Sequence, residues 1–189
     1  MTVRLIEIKF SEKKLQAIRQ MLSGVKGAIP KVMSRAVNRT AESARTQIVR
    51  RLAGLVNLKQ KIIRDSITLS KASRRNWVAT VGINTKRIPL INFGARQNKK
   101  GLSYVIAKQS GRRQIRSAFI ATMSSGHRGA FKRKGPDRLP IMELRGPSLS
   151  EFFKHAPTLA RTIVGKAYRD LERNIDTQVA LILKRRKTG

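Results

Sequence analysis

Two serines and a histidine lie close together in AFIATMSSGHRGAFKRKG, residues 118–135. Ser124, Ser125 and His127 are the residue types of a nucleophile and its general base. That chemistry needs the base within hydrogen-bond reach of the hydroxyl and an acid to orient the base. No acidic residue follows them before Asp137, and SSGHRG lacks the strand, elbow and helix setting of G-x-S-x-G. Turn chemistry accounts for every residue instead: Gly126 and Gly129 supply positive φ, and His127 sits exposed at a hairpin tip. A phosphate loop fails as well. GHRGAFKRKG lacks G-x-x-x-x-G-K-[ST] and runs into Pro136 where a helix should begin. The second histidine, His155, follows Glu151 by four residues on a predicted helix, which reads as an exposed pair. The ten carboxylates are scattered, with no ligand set for a metal. The reading is of a protein with no catalytic, cofactor-binding or metal-binding residues.

These residues must be held by the elements around them. VRLIEIKF (3–10) alternates as a strand, with Ile6, Ile8 and Phe10 on one face. Ser11 caps the following helix, which has Lys14 where a capping box would have Glu and buries Leu15, Ile18 and Leu22. From Ile29 to Leu55, the positions Ile29, Met33, Ala36, Val37, Thr40, Ala41, Ala44, Ile48, Leu52 and Leu55 trace one helical stripe. The opposite face carries Lys31, Arg35, Arg39, Arg45 and Arg50. Such a helix is roughly 40 Å long at ~1.5 Å per residue. Gly54 and Asn57 loosen its end, and LKQKIIRDSI (58–67) fits a short helix.

The pattern then changes. ITLSKAS, NWVATVGI, IPLINFGA, LSYVIA, AFIATM and AFKRK are short and β-prone, and GARQNKKG reads as an exposed loop. RGPSLSEFFKH opens a last helix, capped by Ser148 or Ser150, which Pro157 kinks or splits and which reaches Lys184. The terminal KRRKTG reads as frayed. The fold class is α+β, a small, mainly antiparallel sheet or partial barrel flanked by two long helices. We read one domain over 1–189: an N-terminal strand and helices (1–65), a central β module (66–145) and a C-terminal helix (146–189).

Composition limits the partners. Lys and Arg number 42 against 10 Asp and Glu, a formal charge of +32, so a compact monomer repels itself. There is no cysteine, which excludes disulfides, thiolate zinc and cysteine nucleophiles. The start MTVRLIEIKFSEKK lacks a signal-peptide pattern, and no apolar run approaches the ~18 residues of a membrane span. These features predict a soluble protein made in the cytoplasm. Cationic stretches fall on helices, strands and loops alike, which favours backbone electrostatics over base readout. Aromatics, at 5%, are too few for a stacking platform. Candidate contacts to DNA or an acidic partner are Arg45, Arg50, Arg51, Lys59, Lys61, Arg64, Arg96, Lys99, Lys100, Arg112, Arg113, Arg128, Lys132, Arg133 and Lys134; Lys184–Lys187 is a further cationic stretch.

Three further strings occur in order: IPLINFGARQNKKGLSYVIA, IRSAFIATMSSGHRGAFKRKG and RLPIMELRGPSLSEFF. They carry L-x-x-F-x-A-R-Q, then G-A/S-F-I-A-x-M-x-x-G-H-x-G-V/A-F-x-R, then R-L-P-I-x-E-L-x-G-P-S. Together they cover residues 88–153, and the chain resembles the minor tail protein Z family of tailed phages and prophages. In the second word Ser117 stands where the pattern has Gly. The flanking helices match mainly in placement and basic character. The resemblance implies a noncatalytic virion protein that completes the tail at its head-proximal end or neck and is assembled in the host cytoplasm. It also implies a homo-oligomeric, often hexameric, ring that meets a tail terminator or tube protein and the head connector, close to the DNA path. It reads GPS as a sheet-to-helix junction, with the turn set by Gly146 and Pro147 and the helix anchored by Phe152 and Phe153. Two other classes compete: a stand-alone nucleic-acid-binding protein making nonspecific phosphate contacts, and a hydrolase using His127.

Overall fold

The computed structural model describes residues 1–187 and is α+β. The fraying expected of KRRKTG is not found over Lys184–Lys187, which continue the last helix, while Thr188 and Gly189 lie outside the described residues. The chain divides into two compact units, one of Thr2–Ile48, Ile67–Ile83 and Ala156 onward, the other of Met1, Val49–Ser66 and Asn84–His155.

The first unit holds strand β1 (Thr2–Ile8), helix α1 (Glu12–Met21), most of α2 (Ala28–Leu55), strands β2 (Ile67–Ser70) and β3 (Ala79–Asn84), and α5 (Pro157–Lys187). Its sheet runs β1-β3-β2, with β2 and β3 antiparallel and Ile67 opposite Ile83. Ser11 caps α1 by accepting from the Lys14 amide at 3.4 Å, as the sequence predicts. The α2 stripe from Met33 through Ala36, Val37, Thr40, Ala41, Ala44 and Ile48 is fully buried. Small side chains along it allow close packing, and two polar residues fix its partner's position. Asn174 of α5 donates to the Thr40 hydroxyl at 3.0 Å, and that hydroxyl donates to the Ala36 carbonyl at 2.9 Å. One turn along α2, Ser43 donates to Asp170 of α5 at 3.0 Å. Asn38 clamps the loop after β2, donating to the Ala72 carbonyl and accepting from its amide.

The second unit contains the end of α2, helix α3 (Gln60–Asp65), a 3₁₀ turn (Leu90–Asn92), strands β4 (Arg96–Asn98), β5 (Gly101–Tyr104), β6 (Arg113–Ile115), β7 (Ala118–Thr122), β8 (Arg128–Arg133) and β9 (Ile141–Glu143), and α4 (Leu149–Lys154). They form two antiparallel three-stranded sheets, β4-β5-β6 and β7-β8-β9, and no closed barrel. Gln97 of β4 links them by accepting from the Ile120 amide of β7 at 2.9 Å. Leu52, Val56, Ile63, Phe93, Leu102, Ala130 and Leu149 form the interior.

Several local expectations are corrected. IPLINFGA makes one bridge, Pro89 to Arg145, and then turns as a 3₁₀ segment, because Pro89 cannot donate to a ladder. GARQNKKG is no free loop: its Arg96–Asn98 part pairs with β5 while staying exposed. Leu55 ends the α2 stripe in solvent, at 41% exposure. Asn57 does not loosen the helix end but stitches it, donating to the carbonyls of Phe93 and Val105 at 3.3 and 3.2 Å. Pro157 separates α4 from α5 and opens α5, a position where its missing N–H does no harm. That helix passes Lys184 and reaches Lys187.

Candidate functional site

The hairpin β7–β8 has SSGHRG at its tip. Register pairs Thr122 with Arg128 and Phe119 with Phe131. The Gly126 amide donates to the Met123 carbonyl, and Gly126 has φ of 80°, the left-handed turn that glycine favours. Gly129 serves a different need. A Cβ there would lie 2.8 Å from the Phe131 ring and 3.2 Å from a Glu143 carboxylate oxygen. His127 is not simply left in water. Its Nε2 lies 2.8 Å from Glu143 of β9, which also accepts from Arg145 at 2.8 Å. The orienting acid missing locally is thus supplied by a strand 16 residues further on. It holds the histidine against the sheet, edge-on to Phe131 at 6.3 Å. Ser124 and Ser125 are exposed, and neither side chain hydrogen-bonds His127, so base and hydroxyl are not assembled into a nucleophilic pair.

GPS is a junction as expected. The Gly146 amide donates to the Ile88 carbonyl, and the Leu90 amide to the Leu144 carbonyl, both at 2.8 Å. These bonds bring the first and third family words side by side. Ser148 is the cap: the Glu151 amide donates to its hydroxyl at 3.4 Å, and Glu151 accepts from the Ser148 amide at 2.9 Å, a complete capping box. Glu151 therefore turns to Ser148 and not to His155. Pro147 and Phe152 are half-buried, while Phe153 is buried.

The candidate cations separate into groups. In the first unit, Arg45 is half-buried on α2. In the second, Arg50 and Arg51 on α2, and Lys59, Lys61 and Arg64 around α3, are exposed. Lys59 borders a hollow of about 550 Å³ shared with Asn57, Asn92 and Lys108. Arg112 is a strut, donating to the carbonyls of Gly94 and Ser103 at 3.0 and 3.1 Å. Arg96, Arg113, Arg128, Lys132 and Lys134 are exposed on the strands and their turns.

Lys99, Lys100 and Arg133 meet in one open groove of about 720 Å³, joined by Arg116. The β4–β5 turn supplies the lysines, the β6–β7 turn supplies Arg116 and Ser117, and β8 supplies Arg133. Arg133 lies over the Phe119 ring, 5.7 Å from its centroid. Gln97 and Asn98 complete one wall, and no carboxylate lines the groove. Ser117 holds φ of 62°, a left-handed conformation that explains why the family pattern has Gly there. Sequence reasoning left Arg116 and Phe119 out of the contact set. The signal available was the run without Asp or Glu from Ser66 to Pro136, which leaves this region no acid of its own. Among the described residues, no three His, Cys, Asp or Glu cluster as metal ligands, and no helix is long and apolar enough to cross a membrane.

The chain that folds in this way matches a known family in sequence. The chain belongs to the prophage minor tail protein Z (GPZ) family, whose model matches residues 13–185. It is 25% identical over 190 residues to the tail completion protein Z of Escherichia phage lambda, covering 90% of this chain and 96% of that protein. It is also 25% identical over 156 residues to the tail completion protein of Escherichia phage N15, covering 76% of this chain and 84% of that one. No solved structure matches.

Proposed function

We propose that the chain is a noncatalytic virion protein that completes a phage tail at its head-proximal end and helps join tail to head. The observation that carries this is the family match across 13–185, together with two relatives named for tail completion. In this reading residues 1–189 act as one tail-completion domain, a homo-oligomeric ring, hexameric as in sixfold tails, seated on the tail tube or its terminator and facing the head connector. The length of α2 and α5, 28 and 31 residues, and exposed Tyr168 and Leu181 on α5 suit contacts between copies. The candidate cations from Arg45 to Lys134 would meet acidic neighbours or packaged DNA as it passes. The role asks for no cofactor or metal.

The test is a deletion of the gene in its phage, complemented from a plasmid. The reading expects particles with assembled parts but greatly reduced infectivity, restored by the wild-type chain and equally by His127→Ala. Full infectivity without the gene refutes tail completion. Loss of complementation by His127→Ala in a folded chain refutes the noncatalytic part. The rival class, a stand-alone nucleic-acid-binding protein, draws on the charge of +32. It predicts tight DNA binding by the isolated chain that falls steeply with salt, and a deletion phenotype unrelated to head–tail joining.

A further inference from the structure

We infer that the groove between the β4–β5 and β6–β7 turns is a docking site for an acidic, extended segment of a partner protein. Lys99, Lys100, Arg116 and Arg133 converge on it from three separate parts of the chain. None of the four has a carboxylate partner among the described residues, although other cations do: Arg145 pairs with Glu143, Lys71 with Glu42 and Arg173 with Asp170. Four cations around one concavity repel one another, and no acid lies between Ser66 and Pro136 to offset them. An acidic partner would relieve that repulsion.

Shape selects which one. A DNA duplex presents phosphates on a convex cylinder and is gripped by elements that enter its grooves, about 12 and 6 Å wide. A duplex is wider than a groove of about 720 Å³, so its phosphates would reach only the rim. Single strands use open aromatic platforms, whereas Phe119 is roofed by the Arg133 guanidinium. Carboxylates on flexible side chains can reach into a groove of about 720 Å³, where arginine forks donate to both carboxylate oxygens in bidentate fashion. Phe119 and Ala118 also line the groove. The exposed β4 strand, Arg96–Asn98, is an outer strand of its sheet and provides a rail beside the groove for an extended chain. The inference stands independently of the tail-completion reading, since it concerns the chemistry of one surface and not the place of the protein in a particle.

The test uses the full chain and fluorescent hexaglutamate at about 150 mM salt, followed by anisotropy. One variant combines Lys99→Gln, Lys100→Gln, Arg116→Gln and Arg133→Gln. A control with the same loss of charge combines Lys13→Gln, Arg19→Gln, Arg75→Gln and Arg161→Gln, all exposed residues of the other unit. All eight are exposed, and unchanged thermal unfolding confirms that both variants fold. The groove variant should weaken peptide binding by roughly tenfold or more and the control by less than about threefold, as loss of charge-assisted bonds implies. A short DNA duplex should lose affinity equally in both variants. Absence of peptide binding by the wild-type chain, equal peptide loss in both variants, or selective loss of duplex binding in the groove variant would each overturn the inference. Failure here leaves the deletion phenotype untouched, so the two proposals fail separately.

Discussion

Gly146→Ala tests how the family words are joined physically. A Cβ at this position would lie 2.6 Å from Cε2 of Phe93, 3.1 Å from Cδ2 and 3.3 Å from Cζ. Phe93 has nowhere to retreat. It is fully buried, and its backbone is tied on both sides, its amide donating to Leu90 and its carbonyl accepting from Val105 and Asn57. Overpacking of this kind costs ~1–3 kcal/mol, and a fixed ring places the cost in the upper half of that range. Alanine also restricts the unfolded chain more than glycine does, which returns ~0.4–1 kcal/mol. The net loss is then about 2 kcal/mol, equivalent to a fall in Tm of roughly 4–8 °C for a chain of this size. Phe93→Leu, which trims the ring, should be destabilising alone yet should relieve the alanine. The assay is thermal and urea unfolding of the two single variants and the double. The double should be less damaging than the sum of the singles by at least about 1 kcal/mol. A Tm change under about 1 °C for Gly146→Ala, or additivity within ~0.5 kcal/mol, refutes the jammed junction.

Other outcomes follow from single contacts. Thr40→Val should cost about 1–3 kcal/mol in urea unfolding, because it strands the buried Asn174 amide, and pairing it with Asn174→Leu should recover much of that. Equal costs with no coupling would dissociate the two side chains. At Ser117, glycine should be tolerated or slightly stabilising, whereas Ser117→Val should cost about 1–2 kcal/mol at a φ of 62°, read as opposite shifts in Tm. Phe153→Ala should destabilise by ~3 kcal/mol or more, and the half-buried Phe152→Ala by clearly less; comparable losses would contradict the burial difference.

Long-period features were legible in the sequence. The α2 stripe, α5, the β7–β8 hairpin and the Ser11 cap follow from spacing and residue type, since each is decided by nearby residues. What escaped depends on partners far along the chain. β6 is a cationic tripeptide, RQI, that becomes a strand only because β5 offers it an edge. IPLINFGA has strand composition, but the return of residues 144–146 turns it into a bridge and a 3₁₀ segment. His127 looked unaccompanied because Glu143 arrives on a separate strand. Likewise the groove assembles Lys99, Arg116 and Arg133 from turns and a strand that no local motif connects. Arg112 shows a second role: an exposed cation counted as a surface contact also braces the chain, donating to the carbonyls of Gly94 and Ser103.

The central claim concerns place in the particle, and imaging tests it most directly. A complementing chain carrying a small gold-binding tag at its N-terminus, incorporated into purified phage and viewed by electron microscopy, should label the head–tail junction and little else. Label along the tail shaft or at the distal tip, or infectious particles that contain none of the chain, would contradict the account.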